Sequence, residues 1–246
     1  MVDCPTVTFV ILHNQDAQRL NHIRPAVRSL ADDIGGKVHE IYQQPEIVPN
    51  TYAMTWRWVM FNRILGRRWA KYLGGRKIPG FGKFLVDLCI NDTARIFKRK
   101  KGSPDMRKYT ARKMILTPKH ITAWHRFNSD SDYLVVLEDD AVFKEDTARR
   151  FVETVVMINR QFHGEDVYAD LAGGLDLDVI GVEHLIDHAN GIYRHFSKPV
   201  TNTTCCYLLS AKTANRFSDH LHTRPKLRIL SSDWLINYLV LGSEKS

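Results

Sequence analysis

Three carboxylates stand in a row at Glu138, Asp139 and Asp140, directly after the apolar run from Tyr133 to Leu137 and before Ala141, Val142 and Phe143. Adjacent carboxylates repel one another, a divalent cation relieves that repulsion, and oxygen ligands suit hard ions such as Mg²⁺ or Mn²⁺. An ion held there against a substrate can neutralise a diphosphate as it leaves. The plainer reading is that these are solvated loop acids, or negative charge that favours the start of a following helix. A second pair of acids, Asp176 and Asp178, lies in GGLDLDVIG, where Gly173 and Gly174 allow a substrate to approach the backbone closely. No strong apolar strand precedes it, so this pair ranks below the first as a metal site.

What the acids can do depends on the elements that carry them. A short run rich in Val and Leu has the pattern of a buried strand, which puts the triad at its C-terminal end. Around it the sequence alternates. TVTFVIL reads as a first strand, AQRLNHIRPAVRSLA as a helix that tolerates Pro25, and KVHEIY as a second strand. After Thr117 a helix is expected with Pro118 in its first turn and Thr117 as cap, turning Ile121, Trp124 and either Phe127 or His125 inward. EDTARRFVETVVMINRQF reads as the next helix, with Phe151, Val152, Val155, Val156 and Ile158 on its apolar face. VYADLA and CCYLLS read as strands, AKTANRFSDHL as a helix, and a last helix runs from Asp233, which SSD before WLINYL suits as its N-cap. The alternation defines a single α/β domain over residues 1–246, with a mostly parallel sheet covered on both faces. In such sheets ligands gather at the carboxyl ends of the strands, where the triad falls.

Composition narrows the function classes. The chain has 246 residues, 44% hydrophobic, enough to form a sizeable core. No apolar run approaches the ~18 residues of a spanning helix, and the first residues lack the basic and apolar regions of a signal peptide, so a cytoplasmic location is the expectation. Cys4, Cys89, Cys205 and Cys206 show no zinc-like spacing and read as reduced thiols. The net charge of +8 is uneven, because residues 56–113 hold 17 Lys or Arg against three acids and leave 18 bases and 24 acids elsewhere. A basic helical insertion over about 50–113, with Trp56, Val59, Met60, Arg63, Ile64 and Arg67 at helical spacing, suits an anionic surface; a helix packed on the domain with solvated cations is the alternative.

The segment MILTPKHITAWHRFNSDSDYLVVLEDDAVF resembles the core of glycosyltransferase family 25, the lipopolysaccharide and procollagen galactosyltransferase-like group. His120, Trp124, Leu137, Glu138, Asp139 and Asp140 follow its motif in order. CCYLLSAKTANRF resembles a further family block through Tyr207, Leu209, Ser210 and Ala214, and SSDWLINYL a late block built on Asp233. The likeness runs from about Thr117 to Leu239, with a weaker stretch at Val7–Arg19. Lys119 stands where the family has Ser, Thr213 where it has Gly, and of the family's first motif Arg19 is retained.

The resemblance implies a GT-A-like fold and an inverting hexosyltransferase. It would move galactose or a related hexose from a nucleotide sugar, a UDP-sugar above all, to a saccharide such as a lipopolysaccharide or other cell-surface glycan. It implies Mn²⁺ or Mg²⁺ on Asp140 and Glu138, with Arg19, His120, Glu138 and Asp139 on the donor side. Asp233 is then the candidate general base. His120 either meets donor phosphates or is a hydrogen-bonded structural histidine, and Lys119 either neutralises phosphate or is a solvated helix cation. An acceptor linked to lipid would lie at the inner face of the membrane, beside the basic insertion. Two rival classes use parts of the same pattern. A metal-dependent nuclease or other phosphoryl-transfer enzyme would share the acids and basic surface, but the basic segment holds no recognisable nucleic-acid module, so no nucleic-acid partner is expected. A non-catalytic binding protein on the same fold is the other.

Overall fold

The structure, a computed structural model, describes residues 5–42, 55–62, 64, 106–127, 131–172, 184–188, 193–196 and 204–242. Strand β1 (Val7–His13) is buried along its whole length, the pattern of a central strand covered on both faces. Helix α1 (Ala17–Ile34) follows, capped by the Asp16 carboxylate on the Arg19 N–H and closed by Gly35 in the left-handed region at φ 67°. Gly36 leaves no room for a side chain, since a Cβ there would stand 2.9 Å from the Val7 carbonyl oxygen and 3.0 Å from the Phe9 ring. The chain then enters β2 (Lys37–Tyr42), parallel to β1 with His13 opposite Tyr42.

A helical stretch over 55–62 buries Trp58 and Val59 against Ile229 and turns Phe61 onto the main core. These aromatic residues therefore serve packing, and contact with an anionic surface would fall to the cations of the insertion. Most of that insertion, with Arg63 and Arg67, lies outside the described residues. Helix α2 (Met106–Arg126) runs through Pro118 without a break. The expected start at Pro118 is thus corrected: Thr117 lies within the helix, and its hydroxyl donates to the Leu230 carbonyl at 2.7 Å. Packing of Ile115, Ile121, Trp124 and Phe127 outweighs the lost proline N–H, and His125 faces solvent.

Strand β3 (Tyr133–Glu138) lies on the other side of β1, parallel, with Leu12 opposite Glu138. Helix α3 (Thr147–Phe162) leads to β4 (Tyr168–Asp170). Strands β5 (His184–His188) and β6 (Tyr193–Phe196) form a separate antiparallel pair. Strand β7 (Cys206–Ser210), helix α4 (Ala211–Thr223), a 3₁₀ turn (Pro225–Ile229) and helix α5 (Ser232–Gly242) complete the described chain.

The main sheet has the order β2-β1-β3-β7-β4. It is mostly parallel, with β7 reversed between β3 and β4. Period-two alternation sorts its side chains into two cores. Phe9, Ile11, Val135 and Leu137 pack on α1 and α3 through Ile23, Val27, Phe151 and Val155. Val10, Leu12, Leu134 and Val136 pack on α2, α4 and α5 through Trp124, Phe217, Leu235 and Ile236. The mixed α/β architecture read from the sequence is present. No helix among the described residues is long and apolar enough to cross a membrane.

Candidate active site

Reversal of β7 builds the site. Because β7 is antiparallel to β3, its entry at Thr204 and Cys205 meets the end of β3, and the Glu138 N–H donates to the Cys205 carbonyl at 2.8 Å. One residue on, the Asp139 N–H donates to the Leu12 carbonyl at 3.0 Å, and the Ala141 N–H closes a turn on the Glu138 carbonyl at 3.1 Å. The three acids therefore leave the sheet in different directions and meet different partners.

Asp139, buried, takes Arg19 Nη1 on Oδ1 at 3.0 Å and the Asn14 N–H on Oδ2 at 3.2 Å. Asp140 is half exposed, with Arg19 Nη1 at 3.8 Å from Oδ2 and the Cys205 thiol at 3.8 Å from Oδ1. Arg19 thus sits across both acids, and its hydrogen bond to Asp139 above all raises its pKa. Burial, reinforced by the charge of Asp140, pushes the Cys205 thiol up to about 12, and burial also lifts Cys206; both are free cysteines.

Glu138 turns the other way, toward α2 and α5. Its Oε1 accepts the Thr204 hydroxyl at 2.6 Å, and His120 Nε2 lies 3.5 Å from the same oxygen. The Thr204 oxygen is also 3.3 Å from Asp233 Oδ1 and 3.1 Å from the Ser232 hydroxyl. Asp233 is in the first turn of α5, whose first bond runs from the Leu235 N–H to the Ser231 carbonyl at 2.8 Å. That bond places the cap at Ser231 and corrects the N-cap reading of Asp233.

Behind Glu138 the histidine ring is buried against Trp124 and Tyr207. Trp124 Nε1–H, a donor only, gives its proton to the Tyr207 oxygen at 2.9 Å. Burial raises the Tyr207 pKa well above its usual value, and its oxygen lies 2.8 Å from His120 Nδ1. Nε2 of the same ring faces Glu138. His120 has no exposed surface, so it reaches the site through Glu138.

Lys119, buried at 2% exposure, donates to the His13 carbonyl at 2.9 Å and to Asn14 Oδ1. Burial lowers its pKa, while Asp139 and Glu138 pull it back up. The solvated reading of Lys119 is thereby corrected. Its helical neighbours Ile115 and Ala123, four residues to either side, are also buried, a stripe visible in the sequence.

Among the described residues no three His, Cys, Asp or Glu side chains converge as a ready-made metal centre. The donors present suit an ion that arrives with its substrate, since Mg²⁺ takes one or two carboxylates and completes its shell with water and phosphate oxygens. Asp140 is open to such an ion; Arg19 lies against Asp139 and Asp140, Lys119 is influenced by Asp139 and Glu138, and Asp233 meets Glu138 through Thr204. Asp176 and Asp178 lie outside the described residues, as do Gly173 and Gly174. Thr204, Asn14, Ser232 and Tyr207 gather at the site without having been assigned a role there from sequence.

Comparisons with protein-family models, curated proteins and solved structures returned no match.

Proposed function

We propose that the chain is a nucleotide-sugar-dependent glycosyltransferase with a GT-A-like fold, inverting and hexose-transferring, as its resemblance to family 25 implies. The supporting observation is convergence: Arg19, the Glu138–Asp140 triad and Asp233, from three distant parts of the chain, meet at one end of the sheet through Asp139 and Thr204.

In this reading Arg19, held in place by Asp139, faces the donor phosphates. Asp140, with Glu138, would hold Mn²⁺ or Mg²⁺, which when bound supplies Lewis acidity to the leaving diphosphate. Lys119 holds the β1–α1 turn and adds positive charge behind the acids. An acceptor hydroxyl attacks the anomeric carbon from the face opposite the diphosphate. Its oxygen forms the new C–O bond, the old bond breaks with its electron pair on the nucleoside diphosphate, and Asp233 takes the hydroxyl proton. Asp176 and Asp178 are proposed contacts to the acceptor or sugar. A saccharide acceptor linked to lipid, presented at the inner face of a membrane, would suit the cations of residues 56–113.

The test is a calorimetric screen in Mn²⁺ that compares UDP-sugars with other nucleotides and with oligonucleotides. Binding confined to nucleotide sugars, followed by sugar transfer or slow donor hydrolysis, supports the reading. Tight binding of oligonucleotides with no response to UDP-sugars would overturn it in favour of phosphoryl-transfer chemistry.

A further inference from the structure

Gln15 stands between β1 and the Asp16 cap of α1 with φ at 61°, in the left-handed region that residues other than glycine rarely enter. Its N–H donates to Nδ1 of His13, two residues back, at 3.2 Å. A backbone N–H can only donate and a ring nitrogen has one lone pair, so Nδ1 carries no proton and the proton of the neutral ring is on Nε2. Nε2 faces Glu40 Oε2 at 3.4 Å. The ring is 4% exposed, and groups from several elements surround it. Glu40 on β2 is itself held by Arg24 of α1 through two bonds, at 2.8 and 2.6 Å, and Tyr42 stacks on the ring with centroids 5.7 Å apart. The charges of Arg24, of Lys119 on α2 and of Asp139 after β3 also act on it.

The turn held in this way carries the donor side of the site. Its Asn14 N–H donates to Asp139 Oδ2 at 3.2 Å, and its Asp16 starts α1 by accepting the Arg19 N–H at 3.2 Å, from where Arg19 Nη1 reaches Asp139 Oδ1 at 3.0 Å. We propose that His13 is a positioning residue for the donor side, its Nδ1 lone pair holding Gln15 in the left-handed turn that brings Asn14 and Arg19 together on Asp139. The bond does for a histidine what a side-chain oxygen does in an Asx turn, accepting from the N–H two residues on. A histidine adds a dependence on protons. Protonation puts an N–H on Nδ1 opposite the Gln15 N–H, and two donors cannot bond; Glu40 then holds the charged ring through Nε2 while the turn loses its support. The bond to Gln15 favours the neutral ring, and burial lowers the pKa against the pull of Glu40, so protonation falls below the ordinary value near 6.5. The effect on donor binding rests on the reading of Arg19 as facing the donor phosphates; the account of the turn does not.

Two variants and the native protein test this. His13→Asn keeps an oxygen that can accept from the Gln15 N–H and does not titrate, whereas His13→Leu has no acceptor. Long-range ¹H–¹⁵N NMR of the native histidine rings is expected to show His13 as the Nε2–H tautomer at about pH 7. The Gln15 backbone amide should shift between about pH 7 and pH 5 with the midpoint of the His13 ring, and should hold its position in His13→Asn. In calorimetry with a UDP-sugar and Mn²⁺, native affinity should weaken about ten-fold over that range and the asparagine variant's by less than about three-fold, while the leucine variant should bind about ten-fold more weakly than native at either pH 7 or above. The comparison of native with His13→Asn decides the matter if the leucine variant does not fold. An Nδ1–H tautomer, a Gln15 amide unmoved through the titration of the ring, or equal weakening in the native and asparagine proteins overturns the proposal. A native protein that binds no UDP-sugar at any pH would refute the glycosyltransferase reading, and the tautomer and the amide titration would still decide what His13 does for the turn.

Discussion

Lys119 Nζ donates to the His13 carbonyl at 2.9 Å, joining the middle of α2 to the last residue of β1 across 106 positions of sequence. The same ammonium holds Asn14 Oδ1, and the Asn14 N–H in turn holds Asp139. One buried cation therefore fixes the turn that aims Asp139 at Arg19. The cost is visible in the lowered Lys119 pKa, since burial disfavours the charged form while the nearby carboxylates support it.

Lys119→Met tests that role. It removes the ammonium from the buried His13 carbonyl, whose loss of a partner costs about 1–3 kcal/mol, and from the amide oxygen of exposed Asn14, which water can serve. Relief from burying an ammonium offsets part of this. A net loss of about 1–3 kcal/mol in urea unfolding is expected. An unchanged midpoint would show that the ammonium contributes nothing net to the turn.

His13 predicts how stability changes with pH. Burial above all lowers its pKa, with Arg24 and Lys119 acting the same way and Glu40 and Asp139 opposing them. The unfolded chain, at the ordinary value near 6.5, binds the proton first as pH falls. Stability is therefore fully present above that value and lost as pH drops toward the folded pKa. His220 is lowered by burial as well and acts in the same direction. The urea midpoint should fall between pH 7 and pH 5, and His13→Gln should show a smaller fall than the native protein. Equal falls in the two proteins would remove His13 from the account.

The sequence made the sheet legible because its strands are short apolar runs and its helices carry apolar faces. β1, β2, β3 and β7 stand where the pattern puts them, and the triad follows β3 as read. Pro118 misled because proline favours a first turn in isolation, while Ile115 and Ile121 on either side commit that stretch to the core. The β5–β6 pair went unread although Asn190-Gly191, a strong hairpin dipeptide, lies between its strands. Convergence at the site was only partly legible. Local pattern can mark Glu138 and Asp233 one by one, but their meeting at Thr204 depends on the reversal of β7, which no local pattern records.

The proposed ion predicts a sharp response at Asp140. Asp140→Asn removes one anionic ligand from a half-exposed position, so the fold should survive with an unfolding midpoint close to native. Sugar transfer or donor hydrolysis should fall about 100-fold or more, because the ion's charge acts on the leaving diphosphate. A chelator should act on the native protein in the same way. Full activity in EDTA would refute the ion and leave Arg19 and Lys119 as the site's positive charge.

The 17 cations of residues 56–113 predict adsorption to anionic lipid. Each Lys or Arg near such a surface contributes about 1 kcal/mol before salt screening, so a handful suffice for measurable binding. Trp58 and Val59 are buried in packing, which makes the attraction chiefly electrostatic. Cosedimentation with vesicles should rise with anionic lipid and fall with salt. Replacing Arg63, Arg67, Arg68 and Lys71 by Gln should weaken it while transfer to a soluble acceptor continues. Equal partitioning to neutral and anionic vesicles would leave the segment as solvated structure.

Asp233 predicts a separation between turnover and binding. The α5 cap falls at Ser231, so Asp233→Asn leaves the cap residue in place, and the first-turn charge it removes contributes about 0.3–1 kcal/mol through the helix dipole. Stability should fall by no more than that. A general base acts on the transition state, so kcat should fall about 10²- to 10⁴-fold with donor affinity nearly unchanged. The amide keeps an oxygen that can accept from Thr204 and Ser232, which keeps the packing of the site while removing its capacity to take a proton. Native kcat in Asp233→Asn would move the base elsewhere. Loss of donor affinity with kcat intact would make Asp233 a binding group, and the sharing of Thr204 with Glu138 would then serve the donor side alone.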